Sequence, residues 1–147
     1  MSDEPVVSRG RVSWLTHPPS GVARVSVESR AFGSLPVSLP AHEPAPREAT
    51  PGELLAIAYG MFLAVALSED LVDAGMPADQ IVVEAACTFD GPAGHRQLKS
   101  LELSAAGRVP GLDQAAFRDA VAAARARALR AAGARDDVPG RLDAVLE

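Results

Sequence analysis

Apolar and polar residues alternate with a period of two in several short stretches of the chain, and with a helical period in two longer ones. Ala23, Val25 and Val27 alternate with Arg24 and Ser26, the pattern of a half-buried strand. A strand is predicted before it over residues 11–15. The turn between the two falls at His17, Pro18, Pro19, Ser20 and Gly21, since two prolines and a glycine cannot continue a sheet ladder. A third short strand is predicted over 35–39, and a loop punctuated by Pro40, Pro44, Pro46 and Pro51 follows. Further on, Ile81, Val83, Ala85, Cys87 and Phe89 alternate with Val82, Glu84, Ala86 and Thr88. After a turn at 90–94, Leu101, Leu103, Ala105, Gly107 and Val109 alternate with Glu102, Ser104 and Arg108. Two such runs around a short turn predict an antiparallel hairpin. A last strand is predicted over 142–146.

The first helical segment spans about 50–75. Thr50 caps it, Pro51 takes the first helical position, and Glu53 stands three residues after the cap, which is the capping-box spacing. From Leu54 to Leu67 the segment is apolar on every face. A helix of that kind has to be covered all round, and in so short a chain a second subunit is one way to do it. Glu69, Asp70 and Asp73 mark its emerging end, and Gly75 suits a left-handed stop. The second helix is capped by Asp113, stops at Gly133, and carries the stripe Phe117, Val121, Ala124 and Ala128. The order βββ-α-ββ-α-β predicts an α+β fold with an antiparallel sheet and a buried central helix. Residues 1–10 are expected to be a flexible tail, and 11–147 a single domain.

Composition narrows the classes of function. The 147 residues are 48% hydrophobic, enough for one core, and carry a net charge of -5. That balance argues against nucleic acid, whose phosphates call for excess Lys and Arg. Arg125, Arg127, Arg130 and Arg135 do cluster, but Asp136 and Asp137 follow, so a solvated helix face is expected. The run from Leu54 to Leu67 falls short of the roughly 20 apolar residues of a membrane span. A soluble cytoplasmic protein with no membrane partner is therefore expected. The N-terminus lacks the apolar run of a secretory signal. His17, His42 and His95 lie apart, without metal-ligand spacing, and no metal or cofactor is implied. The single cysteine, Cys87, alternates onto the apolar side of its strand and is expected to be a small buried hydrophobe.

Three segments carry a resemblance to a known family. They are Pro51-Gly52-Glu53-Leu54 leading through Ala58-Tyr59-Gly60-Met61-Phe62 to Ala66-Leu67-Ser68, then Asp73-Ala74-Gly75, and then Val109-Pro110-Gly111-Leu112-Asp113 with Phe117. With the element order, these resemble the OsmC/Ohr family, the osmotically inducible and organic hydroperoxide resistance proteins. The resemblance implies an intertwined homodimer with the first helix at its centre and two active sites at the subunit boundary. It also implies thiol peroxidase chemistry. A cysteine on the first helix attacks the peroxide, one on the second resolves the sulfenic acid, and an arginine and a glutamate lower the thiol pKa.

This chain departs from that pattern at the reacting positions. Phe62 stands at the place of the reactive cysteine, or Met61 if the register slips by one, and Ala128 at the place of the resolving cysteine. Gly52 falls at the glutamate's place with Glu53 one step on, and His17 with two prolines occupies the early turn where the family has arginine. Tyr59 matches a tyrosine seen in part of the family. The expectation is loss of the two-cysteine cycle, with an interface pocket kept for a small apolar organic molecule. Tyr59, Phe62, Met61, Arg47, His42 and Ala128 are the candidate lining residues. Two alternatives stay open: acid–base chemistry on a hydrophobic substrate through Tyr59, Glu53 or His42, and residual hydroperoxide reduction through Cys87.

Overall fold

A computed structural model describes residues 4–14, 22–38, 48–92, 95–135 and 137–147. His17, His42, Arg47 and Asp136, the turn expected over 17–21, and residues 40–47 of the loop expected to run to Pro51 lie outside the described residues. The observed order is β1 (Gly10–Trp14), β2 (Val22–Val27), β3 (Leu35–Ser38), α1 (Pro51–Asp73), β4 (Gln80–Asp90), β5 (Gln97–Arg108), α2 (Gln114–Ala131) and β6 (Leu142–Leu146). That is the predicted βββ-α-ββ-α-β succession. The chain divides into two compact units, residues 1–51 and 52–147.

In the first unit β1, β2 and β3 form an antiparallel meander, with Val12 opposite Val25 and Ala23 opposite Val37. Ala23 and Val37 are its buried residues. Arg24, on the polar side of β2, donates from Nε to Ser34 Oγ at 2.6 Å and from a terminal nitrogen to the Ser34 carbonyl at 3.1 Å. Those two bonds fasten the connection from β2 to β3.

In the second unit β5 is the middle strand of the sheet β4-β5-β6. β4 and β5 form the predicted antiparallel hairpin. β6 instead joins β5 in parallel, Ala105 opposite Ala144, so the sheet is mixed rather than wholly antiparallel. The reason is the connection: α2 carries the chain back along the sheet before β6 begins, and such a crossover delivers a parallel strand. Leu101, Leu103 and Ala105 of β5, Leu63, Leu67 and Leu71 of α1, and Phe117, Val121, Ala124, Ala128 and Leu129 of α2 make one buried cluster. Each large member that is fully withdrawn from water contributes roughly 1.5–3 kcal/mol.

Both helices end as their glycines suggest. Gly75 has φ +74°, and the Gly75 and Met76 amides donate to the Val72 and Leu71 carbonyls at 2.9 and 2.8 Å. Gly133 repeats the arrangement at φ +73°, with Gly133 and Ala134 donating to Arg130 and Leu129. These are Schellman caps. Asp113 Oδ1 accepts from the Ala116 amide at 2.8 Å and starts α2 as predicted.

Within the single chain α1 is buried on one side only: Ala56, Gly60, Leu63, Ala66, Leu67 and Leu71 are buried, whereas Ile57, Met61, Phe62, Val65 and Val72 are exposed. The buried side packs against β5 and α2. By length and composition α1 is also apolar enough to cross a membrane, yet its buried stripe packs into the core just described. One expectation needs correction: the arginines of α2 are not a uniformly solvated face. Arg125 and Arg127 are half-buried, and Arg127 donates to the Ala66 carbonyl at 2.7 Å and pairs with Asp70 at 2.9 Å and Glu69 at 3.3 Å.

Candidate functional site

The helical period and the strand period meet along one side of α1. Glu53, Ala56, Ile57, Gly60, Met61 and Ala64 recur at three- and four-residue spacing, so they form one face. Ile81, Val83 and Ala85 recur at spacing two on β4. Together these residues line an open groove of about 420 Å³. That lies within the size range of small-molecule sites, and its walls are as apolar as those sites usually are. Glu53 is the only ionisable group among the described residues that line it. β4 lies against this face of α1: a β-carbon at Gly60 would be in ordinary contact with Val83 and Ala85.

A second groove of about 390 Å³ continues in the same direction, sharing Ala64 and Ile81 with the first. Val65, Ser68 and Glu69 of α1 and Ala78, Asp79 and Gln80 at the start of β4 complete it. The two form a trough along the helix, apolar in the middle and acidic at both ends.

Of the residues singled out in the sequence, Glu53 and Met61 come together in the trough. Phe62 is exposed beside Met61 but does not line it. Tyr59 is half-buried and packs on the core, and Ala128 lies inside the core on α2, 4% exposed. The β4 wall is the part that sequence reasoning missed. Its signal was present in the alternation of Ile81, Val83 and Ala85, but no pattern within a strand says which helix it faces.

Cys87 sits on β4 rather than on either helix, and is half-buried and packed against the core cluster. Burial pushes its thiol above the ordinary value, because a thiolate loses hydration there. Among the described residues, no group of three or more His, Cys, Asp and Glu is placed to hold a metal ion.

No family model matches the chain, and no curated protein does. Solved structures do. An organic hydroperoxide resistance protein from Elizabethkingia anophelis, with thiocyanate bound, superposes at TM-score 0.76 over 99% of this chain and 100% of its own, at 17% identity. The chain has the OsmC/Ohr fold. An OsmC-like protein from Mycoplasma pneumoniae shares that fold at TM-score 0.70 and 9% identity, with 99% of each chain covered. A Vibrio cholerae protein described as a putative organic hydroperoxide resistance protein, with captopril in one active site, gives 0.67 at 18% identity, covering 97% of this chain and 95% of its own. The OsmC/Ohr fold is thus present along the whole chain, while few residues are shared.

Proposed function

We propose that this chain is a divergent OsmC/Ohr protein that has given up two-cysteine hydroperoxide reduction. It binds a small apolar organic molecule in the groove along α1, at the boundary with a second copy of itself. The observation that carries the reading is the placement of sulfur. The OsmC/Ohr fold is present, but the one cysteine lies on β4, and the positions matched to the reactive and resolving cysteines hold Phe62 and Ala128. A half-buried thiol with a raised pKa is a poor peroxide nucleophile, since the thiolate is the reacting form.

Three features support the pairing of two copies. The outer face of α1 exposes Ile57, Met61, Phe62, Val65 and Val72. Such a continuous apolar stripe usually marks an interaction surface. The free edge of β4 pairs with no strand among the described residues. It carries no proline or lysine of the kind that blunts exposed edges. The opposite edge of the sheet is closed: Gln114 accepts from the Leu146 amide and donates to the Ala144 carbonyl, both at 2.8 Å.

The acid–base alternative is weaker. Of its candidates only Glu53 lines the groove, Tyr59 packs on the core, and His42 lies outside the described residues. A native mass spectrum of freshly purified protein tests the reading. A dimer carrying added organic mass is the expected result. A bare monomer, together with turnover of an aromatic hydroperoxide that is lost in Cys87→Ser, would overturn it.

A further inference from the structure

Among the described residues Met61, Met76 and Cys87 carry sulfur, the side-chain atom that peroxides attack. Met76 and Cys87 are half-buried and pack on the core. Met61 is 58% exposed in the single chain. It follows Ile57 by four residues and precedes Val65 by four, so it stands within the apolar stripe of α1. It also lines the groove against β4. A thioether has no proton to lose, so its oxidation needs no lowered pKa, unlike that of a thiol.

Oxidation reverses what this part of the face prefers. Covering unmodified Met61 removes apolar surface from water, which is favourable. Methionine sulfoxide is polar, and its oxygen accepts hydrogen bonds. The exposed neighbours Ile57, Phe62 and Val65 carry no donor in their side chains. Among the described residues lining the groove, none carries a side-chain N–H or an alcohol hydroxyl. Water satisfies the sulfoxide while the face is open, and no side chain beside it replaces that water once the face is covered.

We propose that Met61 is an oxidative modification site whose sulfoxide holds the chain unpaired. This rests on the pairing of two copies along α1 proposed above and adds how that pairing is undone. Pairing covers the sulfur and separation uncovers it, so a peroxide acts on the separated chain. The sulfur lone pair attacks one oxygen of hydrogen peroxide, an S–O bond forms and the O–O bond breaks. The proton on the attacked oxygen passes to the departing hydroxide, which leaves as water. Sulfur gives up two electrons and the peroxide takes them. The oxidised chain then re-pairs poorly, since each covered sulfoxide is an unanswered acceptor.

The test treats the full-length protein with hydrogen peroxide and follows the same samples by peptide mass mapping and sedimentation. Met61 should gain one oxygen before Met76 does. It should react faster at low chain concentration than at high, because pairing shields it. Protein oxidised at Met61 should pair about a hundredfold more weakly, about tenfold for each of the two sulfoxides. Met61→Leu keeps an apolar side chain at that position and should stay paired after the same treatment. A dimer that persists with Met61 fully oxidised would overturn the inference and leave the pairing standing. So would dissociation of Met61→Leu by peroxide, which would put the sensitive sulfur elsewhere. Oxidation at one rate whatever the concentration would show the sulfur uncovered in the pair, and would overturn it too. A monomer at every concentration before any peroxide is added would overturn the pairing and this inference with it.

Discussion

Phe117 lies fully buried because Gly107, on the neighbouring strand β5, has no side chain. A β-carbon at Gly107 would come within 2.7 and 2.8 Å of two Phe117 ring atoms, closer than carbon atoms pack. Phe117 is 0% exposed and enclosed by the core, so its ring has nowhere to retreat. Gly107→Ala should therefore destabilise the protein by about 1–3 kcal/mol, the usual cost of overpacking. Chemical denaturation measures it, and Phe117→Leu in the same chain should recover part of the loss. Gly60 is the contrasting case. A β-carbon there meets Val83 and Ala85 at 3.5 and 3.7 Å, which is ordinary contact. Gly60→Ala replaces glycine inside a helix and should leave stability unchanged or raise it by up to about 1 kcal/mol. Equal losses at both positions would show that the close approach at Gly107 is not what matters.

Between elements, the main polar tie from α2 to α1 is Arg127. Its guanidinium meets the Ala66 carbonyl, Asp70 and Glu69 at once. The Arg127 side chain is 43% exposed, so water screens the ion pairs, and the bond to the carbonyl matters more than the charges. Arg127→Ala should cost about 1–2 kcal/mol in a urea melt, and Arg127→Lys should restore only part, because all three acceptors meet one terminal nitrogen and a lysine side chain ends a bond short of it. Arg135, whose pair with Asp137 is fully exposed, should be replaceable by alanine without measurable change. The contrast shows what the sequence could reveal. Element order, both helix stops and the Asp113 cap were legible, because local patterns and glycine chemistry determine them. The burial of Arg125 and Arg127 was not. Their positions flank the stripe of Val121, Ala124 and Ala128, and only the packed partner decides whether a flanking stem lies in water or against a neighbour. The candidate site was legible by half for the same reason. Glu53 and Met61 share a helix face that spacing reveals, while the β4 wall depends on a contact between elements.

For the molecule as a whole, the outer face of α1 remains to be accounted for. Ile57 and Met61 are 62% and 58% exposed, Val65 and Val72 49% and 58%. Their spacing of four and seven residues makes them one stripe along the helix rather than scattered surface residues. The cost of hydrating such a stripe is removed if two copies pack it together, which also turns an open groove into a closed one. If so, a single charge in the middle of the stripe should break the pairing, because it would be desolvated without a partner. Val65→Asp should sediment at the chain mass of 15.2 kDa where the unaltered protein sediments at twice that value. Val145→Asp is the control. Val145 is 54% exposed but lies on β6, away from α1, and its replacement should leave the dimer intact. Dissociation by both variants would point to general destabilisation, and circular dichroism of each would show it. Dissociation by neither would put the interface elsewhere and leave the α1 stripe unexplained. A monomer already in the unaltered protein would remove the second copy from the proposal. The groove of a single chain would then have to account alone for any ligand binding.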